Sequence, residues 1–399
     1  MKIVMASHYF ASHRGGVEIV AEELYRGFSE RGHEVVWLAG DVTARPDPVG
    51  RSRAVGLPVL NFVEKKIGLP FPIPGWRGLK RIRAEIRDAD VLLLHDCLYL
   101  SNILAFLTAR RRRVPTVVVQ HIGSFPSRSF YVAAILRLAT FFFTRPMLSS
   151  AEQVIFVSET TKAHFNRVLF RNFPETVFNG VDTKRCRMRR GDEPMADIRR
   201  AFGLPEDGTL ILFAGRFVEK KGISVMKKLA ERRPDWTWVF AGWGPLNPDQ
   251  WNTPNVRVLS GLRGASIAGL YRACDLLVLP SFGEGFPLVI QEALASGLPV
   301  VCGEESHRAD PAIGNLVKGV PVIVGDDEST AREFLRAIDE VLASEATSLG
   351  MAEARRTFAV SRYSWARSID HYLEIVSRLA PNAAESDGRM QHAVEAGPQ

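Results

Sequence analysis

The chain has 399 residues, 46 % of them hydrophobic and 24 % charged. That is the balance of a soluble globular protein, and the length suits two cores better than one. The formal charge of +7 belongs to the first half, which holds 24 Lys and Arg against 15 Asp and Glu up to Gly180; the remainder holds 27 against 29. Four cysteines, Cys97, Cys186, Cys274 and Cys302, lack the CxxC or Cys/His spacing that seats zinc. A zinc module is therefore excluded, and scattered thiols point to a reducing compartment.

Residues 1–6 are apolar for too short a run to form the core of an export signal and read as a buried strand over 3–6. The expected location is the cytoplasm or the cytoplasmic face of a membrane. Arg14-Gly15-Gly16-Val17-Glu18 follows and opens a helix over 17–31. Two glycines let main chain approach a ligand, and a helix N-terminus offers free N–H groups to an anion. A glycine pair is equally the mark of a simple turn. A strand follows over 34–38. Residues 62–87 then mix Phe62, Leu69, Phe71, Ile73, Trp76, Leu79 and Ile82 with seven Lys and Arg. This suits an amphipathic segment on an anionic membrane, and also a packed helix beside a solvated loop.

Strands are expected over 91–94 and 116–120, with a helix over 101–111 between them. Arg110 to Arg113 end that helix, where cations favour its dipole. Residues 130–148 are apolar, but Arg137, Arg145 and Pro146 argue against a membrane span. A strand over 154–157 closes the first half. Residues 184–205 alternate basic and acidic groups around Gly191 and Pro194 and read as the linker.

In the second half, strands are expected over 210–213, 236–241, 256–259, 276–279, 300–302 and 321–324, with helices over 223–232, 266–273 and 287–296. Strand–helix alternation in both halves gives an α/β protein of two doubly wound, Rossmann-like domains with parallel sheets. The boundaries are 1–183, linker 184–205 and 206–361. A final helical stretch over 362–380 is placed to cross back to the first domain. Residues 381–399 have too little apolar surface to fold.

Two segments of the second half carry chemistry. The strand over 210–213 leads into Gly215-Arg216 and on to Lys220-Lys221-Gly222. Open α/β sheets bind ligands at the carboxyl ends of strands, and two cations bracketing such a loop can hold a diphosphate. A solvated basic loop has the same composition. The strand over 276–279 runs into Ser281-Phe282-Gly283-Glu284-Gly285-Phe286-Pro287, with Pro287 placed at the first helical position, Glu292 in the second turn and Gly297 as the C-cap. The loop offers N–H groups and a carboxylate to one ligand, and Glu292 can reach a diol on the same molecule.

The order Gly15-Gly16, Gly215-Arg216 with Lys221, and Glu284-x7-Glu292 resembles the retaining glycosyltransferases of family 4, which have the GT-B fold. Val157-Ser158-Glu159, Phe178-Asn179-Gly180-Val181-Asp182 and Ala241-Gly242-Trp243-Gly244-Pro245 extend the resemblance from residue 1 to about 375. It implies a nucleotide-sugar donor, UDP- or GDP-linked, with Arg216 and Lys221 on the diphosphate. Glu284 and the N–H groups of Gly285 and Phe286 would meet the sugar, and Glu292 the ribose diol. Gly15 and Gly16 would approach from the first domain, and His121 would stand near the sugar. No metal or other cofactor is expected, since fixed cations can stabilise a leaving diphosphate. Asp88-Ala89-Asp90 has the spacing of a metal-binding DxD but precedes its strand, at the wrong end of the sheet. Gly242-Trp243-Gly244 lacks the third glycine of a dinucleotide fingerprint.

The expected acceptor is a glycan or a lipid-linked, membrane-borne intermediate in cell-envelope polysaccharide biosynthesis, with peripheral contact to anionic membrane through the basic first domain. A nucleotide-sugar epimerase of the same fold is opposed by the Glu284/Glu292 pattern. A non-catalytic membrane- or nucleic-acid-binding protein is opposed by the full Arg216, Lys221, Glu284 and Glu292 set. No RNA- or DNA-reading module is present, so nucleic acid is not an expected partner.

Overall fold

A computed structural model describes residues 1–13, 15–42, 44–60, 72–123 and 130–380, with side chains from 134 onward in the last stretch. Arg14, the part of the basic amphipathic segment over 62–71, and the tail over 381–399 lie outside the described residues.

The first sheet has seven strands in the order β3-β2-β1-β6-β7-β8-β9. These are β1 (Lys2–Ala6), β2 (Glu34–Gly40), β3 (Arg53–Leu57), β6 (Val91–His95), β7 (Thr116–Gln120), β8 (Gln153–Phe156) and β9 (Glu175–Thr176), all parallel. A small antiparallel pair, β4 (Val59–Leu60) and β5 (Ile73–Pro74), lies beside it. Both faces of the main sheet are covered. Ile3, Met5, Val91 and Leu93 pack into one apolar cluster, and Val4, Ala6, Leu92 and Leu94 into another. Alternate side chains point to opposite faces, so a strand buried on both sides must be apolar at every position. The continuous Ile, Val and Leu runs have this origin.

The second sheet runs β12-β11-β10-β13-β14-β15. It comprises β10 (Leu210–Arg216), β11 (Thr237–Trp243), β12 (Val256–Leu259), β13 (Leu276–Leu279), β14 (Val300–Gly303) and β15 (Lys318–Val320), again all parallel. Its order reverses between β10 and β13, and the first sheet reverses between β1 and β6. Each reversal opens a crevice at the carboxyl ends of the strands.

Several expectations are corrected. The apolar run over 321–324 is not a strand: pairing with β14 stops at Val320, and Pro321 has no N–H to continue it. Ile323 and Val324 are exposed instead. Strands β3 and β9, at the two sheet edges, carry no clear alternation and are additions. Pro287 is the N-cap, one residue before the helix Leu288–Ala295. The linker region contains a short helix, Met195–Ala201. The last helix starts at Trp365 rather than at 362 and runs to Leu379, with a separate helix, Leu349–Tyr363, before it.

The helix Trp365–Leu379 packs on the first sheet's side of the molecule. Ile369, Tyr372, Ile375 and Val376 are buried in one cluster with Val20, Leu24 and Phe28 of the helix Gly16–Glu30. Each such side chain contributes about 1.5–3 kcal/mol on burial. The helices meet closely enough that a methyl on Gly27 would fall 2.2 Å from Ile369 Cδ1.

Candidate functional site

A cleft of about 610 Å³ lies between the two sheets. Ser12, Ile19 and Glu22 line it from the first, and Arg216, Trp243 and Glu292 from the second. Arg216 is the last residue of β10 and pairs in register with Trp243 of β11. Its guanidinium sits 4.9 Å from the Trp243 ring centre, a cation–π contact that orients it. The Arg216 Nε is buried and has no hydrogen-bond partner among the described residues. A buried donor left unpaired is costly, and a ligand oxygen would satisfy it.

Lys221 ends a short 3-10 turn, Glu219–Lys221, and Gly222 follows at φ 74°. A Cβ at Gly222 would fall 2.3 Å from the Pro280 carbonyl oxygen, so only glycine permits this approach. It brings the Lys221 loop against the loop after β13, where Phe282 N–H donates to the Lys220 carbonyl at 3.0 Å. Lys221 Nζ lies 3.1 Å from Glu284 Oε2, and Lys220 Nζ 3.5 Å from Glu284 Oε1. Burial is the main influence on both members of the Lys221–Glu284 pair. It pulls the ammonium below its usual range; for Glu284 the two lysines outweigh it and hold the carboxyl below the usual range.

Glu292 accepts a hydrogen bond of 2.6 Å from Tyr271 Oη. Burial pushes the Glu292 carboxyl up, and the tyrosine hydrogen bond opposes it. Gly285 meets the first sheet directly: a Cβ there would lie 2.2 Å from the His121 carbonyl oxygen and 3.3 Å from Val157 Cγ2. The Phe286 side chain is buried, 6.0 Å from Phe178 and 5.5 Å from Tyr363 between ring centres. Only its main chain is available to a ligand.

On the facing side, Gly15 caps the helix Gly16–Glu30. Glu18, in its first turn, is buried under His8 Nε2 at 3.1 Å and His13 Nδ1 at 3.0 Å. Burial pushes the Glu18 carboxyl up, but His8 and the hydrogen bonds to both rings hold it well below the usual range. His121 follows β7. His95 ends β6 and meets it, Nδ1 to Nε2, at 3.0 Å. Asp96 has φ 64°. Its Oδ1 accepts the His121 N–H at 2.8 Å, while Asn102 Nδ2 donates to the carbonyls of His95 and Asp96 at 2.7 and 2.9 Å. Burial raises Asp96 to about 6, against hydrogen bonds from the main chain of His121 and Ile122.

The structure thus places Arg216 and Glu292 in one cleft. Lys221, Glu284, Gly285, Phe286, His121, Gly15 and Gly16 are outside its lining. The Lys221–Glu284 pair sits behind the β10 terminus, where a Cβ on Gly215 would lie 3.9 Å from Lys221 Cδ. Trp243, Tyr271, His8, Glu18, His95 and Asp96 join the arrangement without having been singled out. Trp243 was signalled by the glycines on either side of it at a strand's carboxyl end; the others carry no motif.

Among the described residues no group of His, Cys, Asp and Glu could hold a metal ion. Asp90 of Asp88-Ala89-Asp90 is engaged at the amino end of the sheet, accepting the Lys2 N–H at 2.7 Å. All four cysteines are free and buried. No described helix is long and apolar enough to cross a membrane.

Comparison with known proteins agrees along the whole architecture. Residues 14–185 match "Glycosyltransferase Family 4" and residues 194–358 match "Glycosyl transferases group 1". A D-inositol 3-phosphate glycosyltransferase of Salinispora tropica is 31 % identical over 400 residues, covering 90 % of this chain and 80 % of the relative. That of Salinispora arenicola is 27 % identical over 414 residues, covering 93 % and 90 %. Among solved structures, sucrose-phosphate synthase from Thermosynechococcus elongatus superposes with a TM-score of 0.75 at 17 % identity, covering 95 % of this chain and 99 % of that one. Anabaena HepE, solved with UDP and glucose, gives 0.71 at 17 % identity over 94 % and 99 %.

Proposed function

The chain belongs to glycosyltransferase family 4 and has the GT-B fold, and on that premise we propose that it transfers a sugar, with retention, from a nucleoside-diphosphate sugar bound between its domains. The observation that carries the donor site is the unpaired Arg216 Nε, stacked over Trp243 at the carboxyl end of β10, with Lys221 behind the same strand end. In this reading Arg216 and Lys221 hold the diphosphate and stabilise the charge it gains on leaving. Glu284 and the main chain of Gly285 and Phe286 orient the sugar, and Glu292 takes the ribose diol. Gly15, Gly16 and His121 complete the site from the acceptor side. The bond from the anomeric carbon to the phosphate breaks as the acceptor oxygen bonds on the same face, and the acceptor proton passes to the departing phosphate. The division into 1–183, 184–205 and 206–361, with the last helix returning to the acceptor-side domain, belongs to the same reading.

The acceptor we propose is a lipid-linked or membrane-borne glycan intermediate in envelope polysaccharide assembly, reached at the cytoplasmic face. Supporting it are the exposed Ile135, Leu138, Phe141, Phe142 and Phe143, with Arg137 among them and Arg145 just after, and the exposed Trp76. Apolar side chains among cations suit an anionic bilayer. A second acceptor reading, a small phosphorylated polyol, is favoured by the relatives named D-inositol 3-phosphate glycosyltransferases.

The donor reading is tested by calorimetric titration with UDP, GDP, ADP and their common sugar conjugates in EDTA. One base should bind saturably, and Lys221→Ala should abolish transfer. Binding to none of them refutes the donor site. Sedimentation with anionic liposomes separates the acceptor readings: salt-sensitive binding supports the membrane, and its absence favours the soluble phosphate ester.

A further inference from the structure

We propose that His95 is a positioning residue that locks His121 in its Nδ1–H tautomer, so that His121 meets the bound sugar as a hydrogen-bond donor. The sugar contact rests on the donor-site reading above; the tautomer does not.

The two rings approach Nδ1 to Nε2 at 3.0 Å, with ring centres 5.3 Å apart. One proton lies between two nitrogens, and neutral imidazole has one N–H and one lone pair. If His121 Nε2 were the donor, His95 would accept at Nδ1 and carry its own proton on Nε2. That Nε2 is buried and has no partner among the described residues. Buried N–H groups are rarely left unpaired, and an unfilled lone pair is the more tolerable orphan. The proton therefore sits on His95 Nδ1, which donates. His121 accepts at Nε2 and carries its proton on Nδ1.

A doubly protonated ring would undo this, and the surroundings oppose one. Burial pulls both histidines below their ordinary range; His8 adds to the effect on each, and Glu18 opposes it. The Asp96 carboxylate meets His121 only at its main chain, accepting the His121 N–H. Ring and backbone are thus fixed from separate directions: His95 holds the ring, Asp96 the amide, and Gly285 abuts the carbonyl. A neutral donor also suits the chemistry, because the anomeric carbon gains positive charge in the transition state and an imidazolium beside it would be repelled.

The first test is direct. In protein labelled with 15N at histidine, two-bond proton–nitrogen correlations distinguish the tautomers between pH 6 and 8, with His121→Asn used only for assignment. The expected pattern at both His95 and His121 is a protonated Nδ1 and a bare Nε2. A protonated Nε2 at His121 overturns the proposal.

The second test is kinetic. His95→Asp can only accept when ionised; it should turn His121 to its Nε2–H form and lower kcat/KM about tenfold, the scale of one lost hydrogen bond. His95→Asn places an amide nitrogen where Nδ1 stood and should recover most of that loss. Equal kcat/KM for His95→Asp and His95→Asn, with both folded by circular dichroism, removes the functional role. Should His95→Asp fail to fold, the wild-type spectrum still decides the tautomer. A wild-type protein with the expected tautomer but no nucleotide binding would overturn the sugar contact and leave the lock standing.

Discussion

Gly285→Ala is the most informative single substitution, because it acts where the two sheets touch. The added Cβ would lie 2.2 Å from the His121 carbonyl oxygen, whereas real Cβ contacts essentially never fall under 3.0 Å. The surfaces must separate by about 0.8 Å, and the obstacle is main chain, so no rotamer change relieves it. Holding the contact closed would cost about 1–3 kcal/mol, as overpacking does. The cheaper response is for the domains to part. Glu284 then moves away from His121 by nearly 1 Å, and a misplacement of that size costs on the order of 100-fold in rate. Arg216, Lys221 and Glu292 share one domain and move together, so nucleotide affinity should change by less than about threefold. The expected result is kcat down about 10–100-fold, a nearly unchanged Kd for the nucleoside diphosphate and a slightly larger solution radius. Wild-type kcat with a wild-type radius would refute the reasoning.

Four other outcomes follow from the same geometry. His121 is lowered from 6.5 to about 3, so the unfolded chain binds this proton first; the stability it supports is full above pH 6.5 and lost as pH falls toward 3. The effect is on the order of 5 kcal/mol at most, Asp96 opposes it in the lower part of the window, and His121→Gln should flatten Tm between pH 4.5 and 7; an unchanged slope refutes it. Tyr271→Phe leaves Glu292 without its 2.6 Å donor, so its carboxyl rises further, and nucleotide binding should weaken about 3–10-fold, more at pH 5.5 than at pH 8; an equal loss at both refutes this. Arg216→Ala should lower kcat/KM on the order of 100-fold with Tm little changed, read by steady-state kinetics beside calorimetry. Phe142→Glu, at a site 63 % exposed, should abolish sedimentation with anionic liposomes while leaving Tm unchanged; retained sedimentation rejects that surface.

The sheet interiors were readable because strands buried on both faces need unbroken apolar runs. The strands Thr116–Gln120 and Leu276–Leu279 and the helix Ile223–Arg232 begin and end where their patterns do. The same rule misled at 321–324, where an apolar run without a usable N–H at Pro321 is left outside the sheet. Edge strands such as Arg53–Leu57 are held by one neighbour and by ion pairs, here Arg53 to Glu34 and Glu85, and such pairs leave no periodic trace. Arg216 and Glu292 were legible because turn glycines and a helix cap announce a loop at a strand's carboxyl end. The His95–His121 and His8–Glu18 contacts were not, since each joins residues whose separation in the chain says nothing about their meeting.

The helix Trp365–Leu379 has a consequence for the protein's synthesis. Four of its side chains complete the core built on residues 3–177, yet they leave the ribosome some two hundred residues after the last strand they cover. At about 5–20 residues per second that delay is roughly 10–40 s, during which Val20, Leu24 and Phe28 lack their partners. The second sheet is made within the interval and can be finished first. The half made first is thus the half closed last, and a nascent chain stalled before Trp365 would present an open apolar groove to chaperones.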